Sequence, residues 1–292
     1  MKIRNIEKED IKVLSELAEY HKVLALIKNG ETKLEWCFVI EDNNSFWGRI
    51  VYGVIDEQLI ILDISFTSDN RSFQNELLQI SLKKMKSNGF NEVQCHLYSD
   101  RTNFQQYVNM LTENGFKITQ EKKSFVWEED GFNKLSKKLI FKSLSEVTFD
   151  EYIDVIEKVT EGTLDKDDLD CVRKFGSRKA AIDYFNILKD IDFNAEWWKL
   201  AYTYSDELVG LVVPQKFDER VGAINYIGVL QEKRGNGYVK DLLVEGIRIL
   251  NENGIKKIIG DIDVSNYPLD KALNNLDFKI DCRMLVLKLN LQ

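Results

Sequence analysis

Apolar positions along this chain follow two rhythms, and the points where the rhythm changes mark its elements. After Arg4 to Asp10 a helical stretch runs to about Lys28. Short apolar or alternating runs then predict strands over 34–40, 46–55 and 59–66. Phe73, Leu77, Leu78, Leu82 and Met85 return to the helical period. Asn88-Gly89 stops that helix, a strand covers 92–97, a further helix ends at Glu113-Asn114-Gly115, and a strand covers 124–127.

The second half repeats this order. A strand over 139–144 leads into helices between Thr148 and about Asp190, then strands over 198–204, 208–213 and 223–229. Val239, Leu242, Leu243, Ile247 and Leu250 share one helical face before Asn253-Gly254. A strand over 257–264, a short helix and a strand over 284–289 complete the chain. Gly254 lies 165 positions after Gly89, and Phe278 lies 162 after Phe116. Near-constant offsets between matching elements indicate a duplication.

At 292 residues two domains are expected. We place them at 1–135 and 136–292, joined through the charged segment 128–138. Pro214 and Pro268 are the only prolines, so no proline-rich linker separates the halves, and a pseudo-dimer packing of the two within a monomer, or a homodimer, is expected. The net charge of −8 argues against nucleic acid as a partner, which needs concentrated Lys and Arg. Cys37, Cys95, Cys171 and Cys282 lack metal-type spacing, and with only His21 and His96 present no metal is expected. No signal core opens the chain and no apolar run approaches 18 residues, which implies no membrane span and a cytoplasmic location.

The chemistry concentrates at 229–239. An apolar run ends at Val229, and Arg234-Gly235-Asn236-Gly237 turns into the helix that starts at Tyr238 and Val239. The first N–H groups of a helix lack internal partners, and its macrodipole is positive there. Glycines at such a turn let a pyrophosphate approach the backbone. A P-loop is excluded because no Gly-Lys-Ser/Thr follows, and the Rossmann order Gly-x-Gly-x-x-Gly is absent. A turn that only connects strand to helix is the plainer alternative.

Arg234-Gly235-Asn236-Gly237 resembles the acyl-CoA signature of the GNAT acetyltransferase superfamily, Arg/Gln-x-x-Gly-x-Gly/Ala, with Val239 at its last small position. The order β-αα-βββ-α-β-α-β in both halves is similar to the family's. The resemblance implies an α/β fold, an α+β mixed sheet made of two tandem GNAT-like acyl-CoA N-acyltransferase domains. Acetyl-CoA would be the co-substrate, and a small-molecule or peptide amine the acceptor. It assigns Ile227, Gly228 and Val229 to the pantetheine arm and the carbonyl, and residues 234–239 to the phosphates. Asn266 matches a family asparagine that contacts the CoA arm; helix capping is its other reading. Gly228 reads equally as a strand bulge.

The first half carries Thr67-Ser68-Asp69-Asn70-Arg71-Ser72-Phe73 in place of the glycine turn, and reads as a degenerate copy. Its tryptophans, Trp36, Trp47 and Trp127, read as core or domain contacts.

Asp261 and Asp263 alternate with Ile262 and Val264, so both carboxylates project from one strand face, Asp263 first and Asp261 second as general base. Two solvated strand-end acids are the alternative. The family's general-acid tyrosine, seven residues after the asparagine, is Leu273 here, leaving Tyr267, Tyr226 and Tyr238 as nearby tyrosines. The acids Glu157, Glu161, Asp165, Asp167, Asp168 and Asp170 attract a cationic acceptor or form a solvated face. Three functions compete: an acetyl-CoA-dependent N-acetyltransferase, a non-catalytic acyl-CoA-binding or sensing protein, and an interaction module that binds no CoA.

Overall fold

The computed structural model describes residues 2–10, 20–42, 45–55, 57–67, 70–128, 135–136 and 138–291. Its elements run β1 (Lys2–Asn5), α1 (Tyr20–Lys28), β2 (Cys37–Asp42), β3 (Ser45–Ile55), β4 (Gln58–Phe66), α2 (Arg71–Ser87), β5 (Glu92–Tyr98), α3 (Phe104–Glu113) and β6 (Lys117–Glu128). The second series is β7 (Ile140–Ser143), α4 (Phe149–Thr160), α5 (Lys166–Phe175), α6 (Ser177–Ile191), β8 (Lys199–Tyr202), β9 (Leu208–Lys216), β10 (Val221–Val229), α7 (Tyr238–Glu252), β11 (Lys257–Asp263), α8 (Tyr267–Asn274) and β12 (Lys279–Asn290). Strand β1 has no counterpart in the sequence reading, because four residues of mixed polarity carry no periodic signal. Residues 34–36 form a 3-10 turn, so the strand expected from Leu34 starts at Cys37.

Two compact units emerge, and they do not follow the contiguous division 1–135 and 136–292. The first takes Met1–Glu121 with Met284–Gln292; the second takes Lys122–Arg283. Each unit thus borrows its last strand from the other half of the sequence. The physical reason is edge pairing: β5 takes Met284 to Asn290 of β12 as its antiparallel neighbour, and β11 takes Lys122 to Glu128 of β6. A parallel strand pair left open on its outer edge exposes a row of unpaired N–H and C=O groups, and these strands cover it.

The first unit's strands order as β1-β2-β3-β4-β5-β12, the second's as β7-β8-β9-β10-β11-β6. Within each order one pair is parallel, β4 with β5 and β10 with β11. Apolar burial follows the strand faces. Ile50, Tyr52, Ile64, Leu77, Leu82 and Leu111 belong to the first unit's core. In the second, Phe125, Trp127, Leu243, Ile247, Ile258 and Phe278 pack together, and Tyr152, Phe185 and Trp198 anchor a second cluster under α4 and α6. Trp36 and Trp47 pack against the first core, meeting Phe90 and Phe73 edge to face, whereas Trp127 is buried in the second unit. No described helix is long and apolar enough to cross a membrane.

Helix starts are set by short side chains. Thr148 and Glu151 close a capping box on α4, Asp165 accepts from the N–H groups of Asp167 and Asp168, and Asn266 accepts from Leu269 with Pro268 in the first turn of α8.

Candidate active site

The site begins where two parallel strands part. β10 and β11 pair only at Val221, Gly222 and Ala223 against Lys257, Ile258 and Ile259. Beyond that point β10 remains bonded to β9, with a bulge between Ile224 and Tyr226, and β11 remains bonded to β6. The wedge between them is a cavity of about 420 Å3 whose wall includes Ile227, Asp261, Asp263, Asn266 and Leu273. Residues 163–168 contribute a second wall, with Thr163, Asp165, Asp167 and Asp168.

Directly after β10 comes the glycine turn. Gly235 and Gly237 hold φ of +82° and +77°, a region that side chains with a Cβ rarely adopt. A Cβ on Gly235 would meet no atom within 4 Å, and one on Gly237 would lie 3.6 Å from the Lys138 amine. Open space beside both glycines leaves the backbone accessible. Gly237 caps α7 with no side-chain acceptor, so the first turn of α7, with Tyr238 and Val239, keeps its donors for a ligand. Lys138 donates to the Asn236 carbonyl at 3.1 Å and puts a cation at this turn, which the sequence reading missed. Its signal lay 98 positions away from the motif, and only the fold joins the two.

Arg234 points elsewhere. Its guanidinium donates to the carbonyls of Val159, Glu161, Gly162 and Val229 at 2.8–3.1 Å. It ties the end of α4 to the end of β10 and thereby fixes the loop. Asn236 is likewise spent locally, its amide donating to the Lys233 and Arg234 carbonyls. Gly228 answers to packing: a Cβ there would lie 2.6 Å from Val159 on α4. It is the point where helix and strand touch.

The two strand-end acids differ sharply. Asp263 is 1% exposed, and its Oδ1 accepts from the Ser265 N–H at 2.9 Å and the Ser265 hydroxyl at 2.6 Å. Asp261 is exposed and lines the cavity. Asn266 caps α8, the second of its two readings, and also lines the cavity. Tyr267 is 73% exposed and is not part of the cavity wall. Tyr226 is, and its hydroxyl shares a 2.9 Å hydrogen bond with Thr160. Burial, with the charge of Asp168 next, raises the Tyr226 phenol far above its ordinary range. Tyr238 packs against the cluster of Leu139, Ala201 and Leu242.

The acids of α5 and of the loop before it, read as a possible solvated face, turn inward in part. Lys122 of β6 pairs with Asp167 at 2.8 Å and Asp165 at 3.5 Å. Burial works against its charge, but the two carboxylates outweigh burial and hold the ammonium above its ordinary range. Asp168 is half-buried, and burial together with Asp165 pushes its carboxyl up to about 7. No described group of three or more His, Cys, Asp or Glu is arranged to hold a metal ion.

The first unit repeats the parting strands and then fills them. β4 and β5 pair only at Ile60 with Gln94 and Ile61 with Cys95. On the β4 edge beyond, the Phe66 N–H donates to the Tyr107 hydroxyl at 3.3 Å and the Arg101 guanidinium donates to the Ile64 carbonyl. Arg101 lies over the Tyr107 ring at 4.4 Å. At the start of α2 the Asn70 side chain accepts from the N–H groups of Ser72 and Phe73. Asp69, whose charge would repel a pyrophosphate placed here, lies outside the described residues, as does Ser68. Both the strand edge and the helix start are therefore satisfied internally.

With this geometry in hand, known proteins give a consistent match. Residues 166–278 fit the model of the acetyltransferase (GNAT) family. No curated protein matches the chain in sequence. Among solved structures, a GCN5-related N-acetyltransferase from Sphaerobacter thermophilus is 11% identical with a TM-score of 0.68, covering 100% of this chain and 96% of that one. A tandem GNAT protein from the clavulanic acid biosynthesis pathway is 10% identical with a TM-score of 0.59, covering 100% and 98%. A GNAT-family acetyltransferase from Colwellia psychrerythraea is 13% identical with a TM-score of 0.54, covering 99% and 100%. At such identities these structures share the fold, and the fold is shared end to end. Residues 166–278 thus match the GNAT acetyltransferase family, and the fold of the whole chain is that of these GNAT structures, a tandem one among them.

Proposed function

We propose that this protein is a cytoplasmic N-acetyltransferase that moves the acetyl group of acetyl-CoA to a primary amine, with both substrates held by the second unit. The observation that carries this reading is the parting of β10 from β11 beside an α7 N-terminus that no side chain caps. A pantetheine arm has a free strand edge at Ile227 to Val229 to pair with, and the pyrophosphate has backbone N–H groups at residues 235–239. Lys138 adds a positive charge there. The cavity wall brings Asp165, Asp167, Asp168, Asp261 and Asp263 together against Lys122, which favours an acceptor bearing positive charge. Holding thioester and amine in contact supplies a large part of the rate gain. The thiolate leaves without a tyrosine donor, since buried Leu273 occupies the position of the family's tyrosine.

Isothermal titration with acetyl-CoA should give one site per chain, because the first unit's strand edge and helix start are already occupied. Gly237→Glu should weaken binding at least about 100-fold, since it adds strain at φ +77° and a negative charge at the phosphate position. Two equivalent sites, or an unchanged Gly237→Glu affinity, would sink the reading. Leu273 also supports a second reading, an acyl-CoA sensor without turnover. Thiol release from acetyl-CoA across a panel of amines separates the two: tight binding without release marks the sensor.

A further inference from the structure

We propose that Asp168 is the proton acceptor of this site, drawing a proton from the ammonium acceptor so that the freed nitrogen can attack the thioester carbonyl. This rests on the acyl-transfer reading above. Asp168 stands in the first turn of α5, which Asp165 anchors by accepting from the Asp167 and Asp168 N–H groups at 2.8 and 3.3 Å. It lines the wedge between the parted strands together with Tyr184 and Tyr226, whose rings meet edge to face 4.7 Å apart. Thr163 donates to its Oδ2 at 3.2 Å, while among the described residues nothing donates to Oδ1. One carboxylate oxygen is thus held and the other, among the described residues, receives no donor, on a side chain that lines the cavity.

The competing carboxylates are committed or wet. Asp263 is buried and takes both donors of Ser265. Asp167 pairs with Lys122, and Asp165 caps α5 and faces the same lysine. Asp261 is exposed, where water levels its action. The charged and titratable groups around Asp168 are Lys122 from β6, Asp165 and Asp167 beside it, Cys171 one turn on, Tyr184 from α6 and Tyr226 from β10. Burial first, then Asp165, drive its carboxyl up to about 7, against the opposing pull of Thr163 and Lys122. A base in this range is about half ionised at neutral pH, and basic enough to accept a proton.

The step balances as follows. An alkylammonium acceptor gives one proton to Asp168 and becomes a neutral amine. Its nitrogen lone pair forms the C–N bond, the C–S bond breaks, and the thiolate departs with the electron pair to be protonated by water. The second nitrogen proton leaves to solvent, so the products are the amide, CoA and one released proton.

The test is the pH profile of kcat with acetyl-CoA and 1,4-diaminobutane or another amine of the panel, between about pH 5 and 10, with CoA affinity measured in parallel. The wild-type rate should fall as pH drops through about 7, because Asp168 then already holds a proton. Asp168→Asn should lower kcat about 10²–10⁴-fold, lose that inflection and recover rate as the amine deprotonates unaided, with acetyl-CoA affinity within about twofold. Asp168→Glu should restore part of the rate, and unchanged thermal unfolding of the variants should accompany it. An Asp168→Asn profile parallel to wild type, or equal losses in kcat and CoA affinity, overturns the inference alone. A wild type that releases thiol with no amine overturns the proposed function and this inference with it.

Discussion

Gly228 is the residue at which ligand and packing explanations part company. A family resemblance assigns it to the approach of the pantetheine arm, while the fold puts Val159 within 2.6 Å of any Cβ it might carry. Gly228→Ala should therefore cost about 1–3 kcal/mol of stability, the usual range for forcing an extra group into a packed contact. Urea unfolding checks this, read at the midpoint with an unchanged slope. An unmoved midpoint with weakened CoA binding would return the glycine to the ligand. Asp263 carries the same lesson. Its place on a strand end suggests a base, yet one short turn later Ser265 supplies two donors that convert it into a turn acid. Leu273 and Asn266 both line the cavity, since they sit in the body and at the start of a helix whose register follows from Asn266 and Pro268.

Among elements, the α4 C-terminus and the loop after β10 are held by one side chain. Four backbone carbonyls converge on Arg234, three of them from residues 159–162, where the C-terminal carbonyls of a helix would otherwise lack partners. Arg234→Lys replaces a planar fork of five donors by a single ammonium. Hydrogen exchange should accelerate at residues 159–163 and 229–236, and stability should drop by about 1–3 kcal/mol. Acetyl-CoA affinity should fall as a consequence of loop disorder, in both Arg234→Lys and Arg234→Ala. If affinity collapses while exchange at 159–163 stays at the wild-type rate, Arg234 reaches the phosphates after all.

For the whole molecule, the exchanged strands decide what can be cut. A fragment of residues 139–292 keeps the family-matching region but lacks Lys122 to Glu128, the antiparallel neighbour of β11. It also loses Lys122, the cation that holds Asp165 and Asp167 at the cavity wall. It retains Met284 to Asn290, whose partner β5 is gone. Such a fragment has two exposed strand edges and should aggregate or form mixed oligomers on size-exclusion chromatography. A fragment of 122–283 should behave better than 139–292. A soluble, monomeric and fully active 139–292 would contradict this.

The sequence by itself determined the order of elements, the duplication, and the turn that opens onto α7, because these depend on local periodicity, on glycine's access to positive φ and on the short side chains that start helices. Tertiary structure decided the rest. Which strand closes each unit depends on edge pairing between residues more than 120 positions apart. The donors around a carboxylate come from the fold, so Asp263 takes both donors of Ser265 while Asp168 takes the hydroxyl of Thr163. The first unit's occupied groove rests on Arg101 and Tyr107 folding back onto β4, an arrangement with no local sequence period. Local propensity is written in neighbours along the chain; desolvation, charge pairing and edge satisfaction are set by neighbours in space.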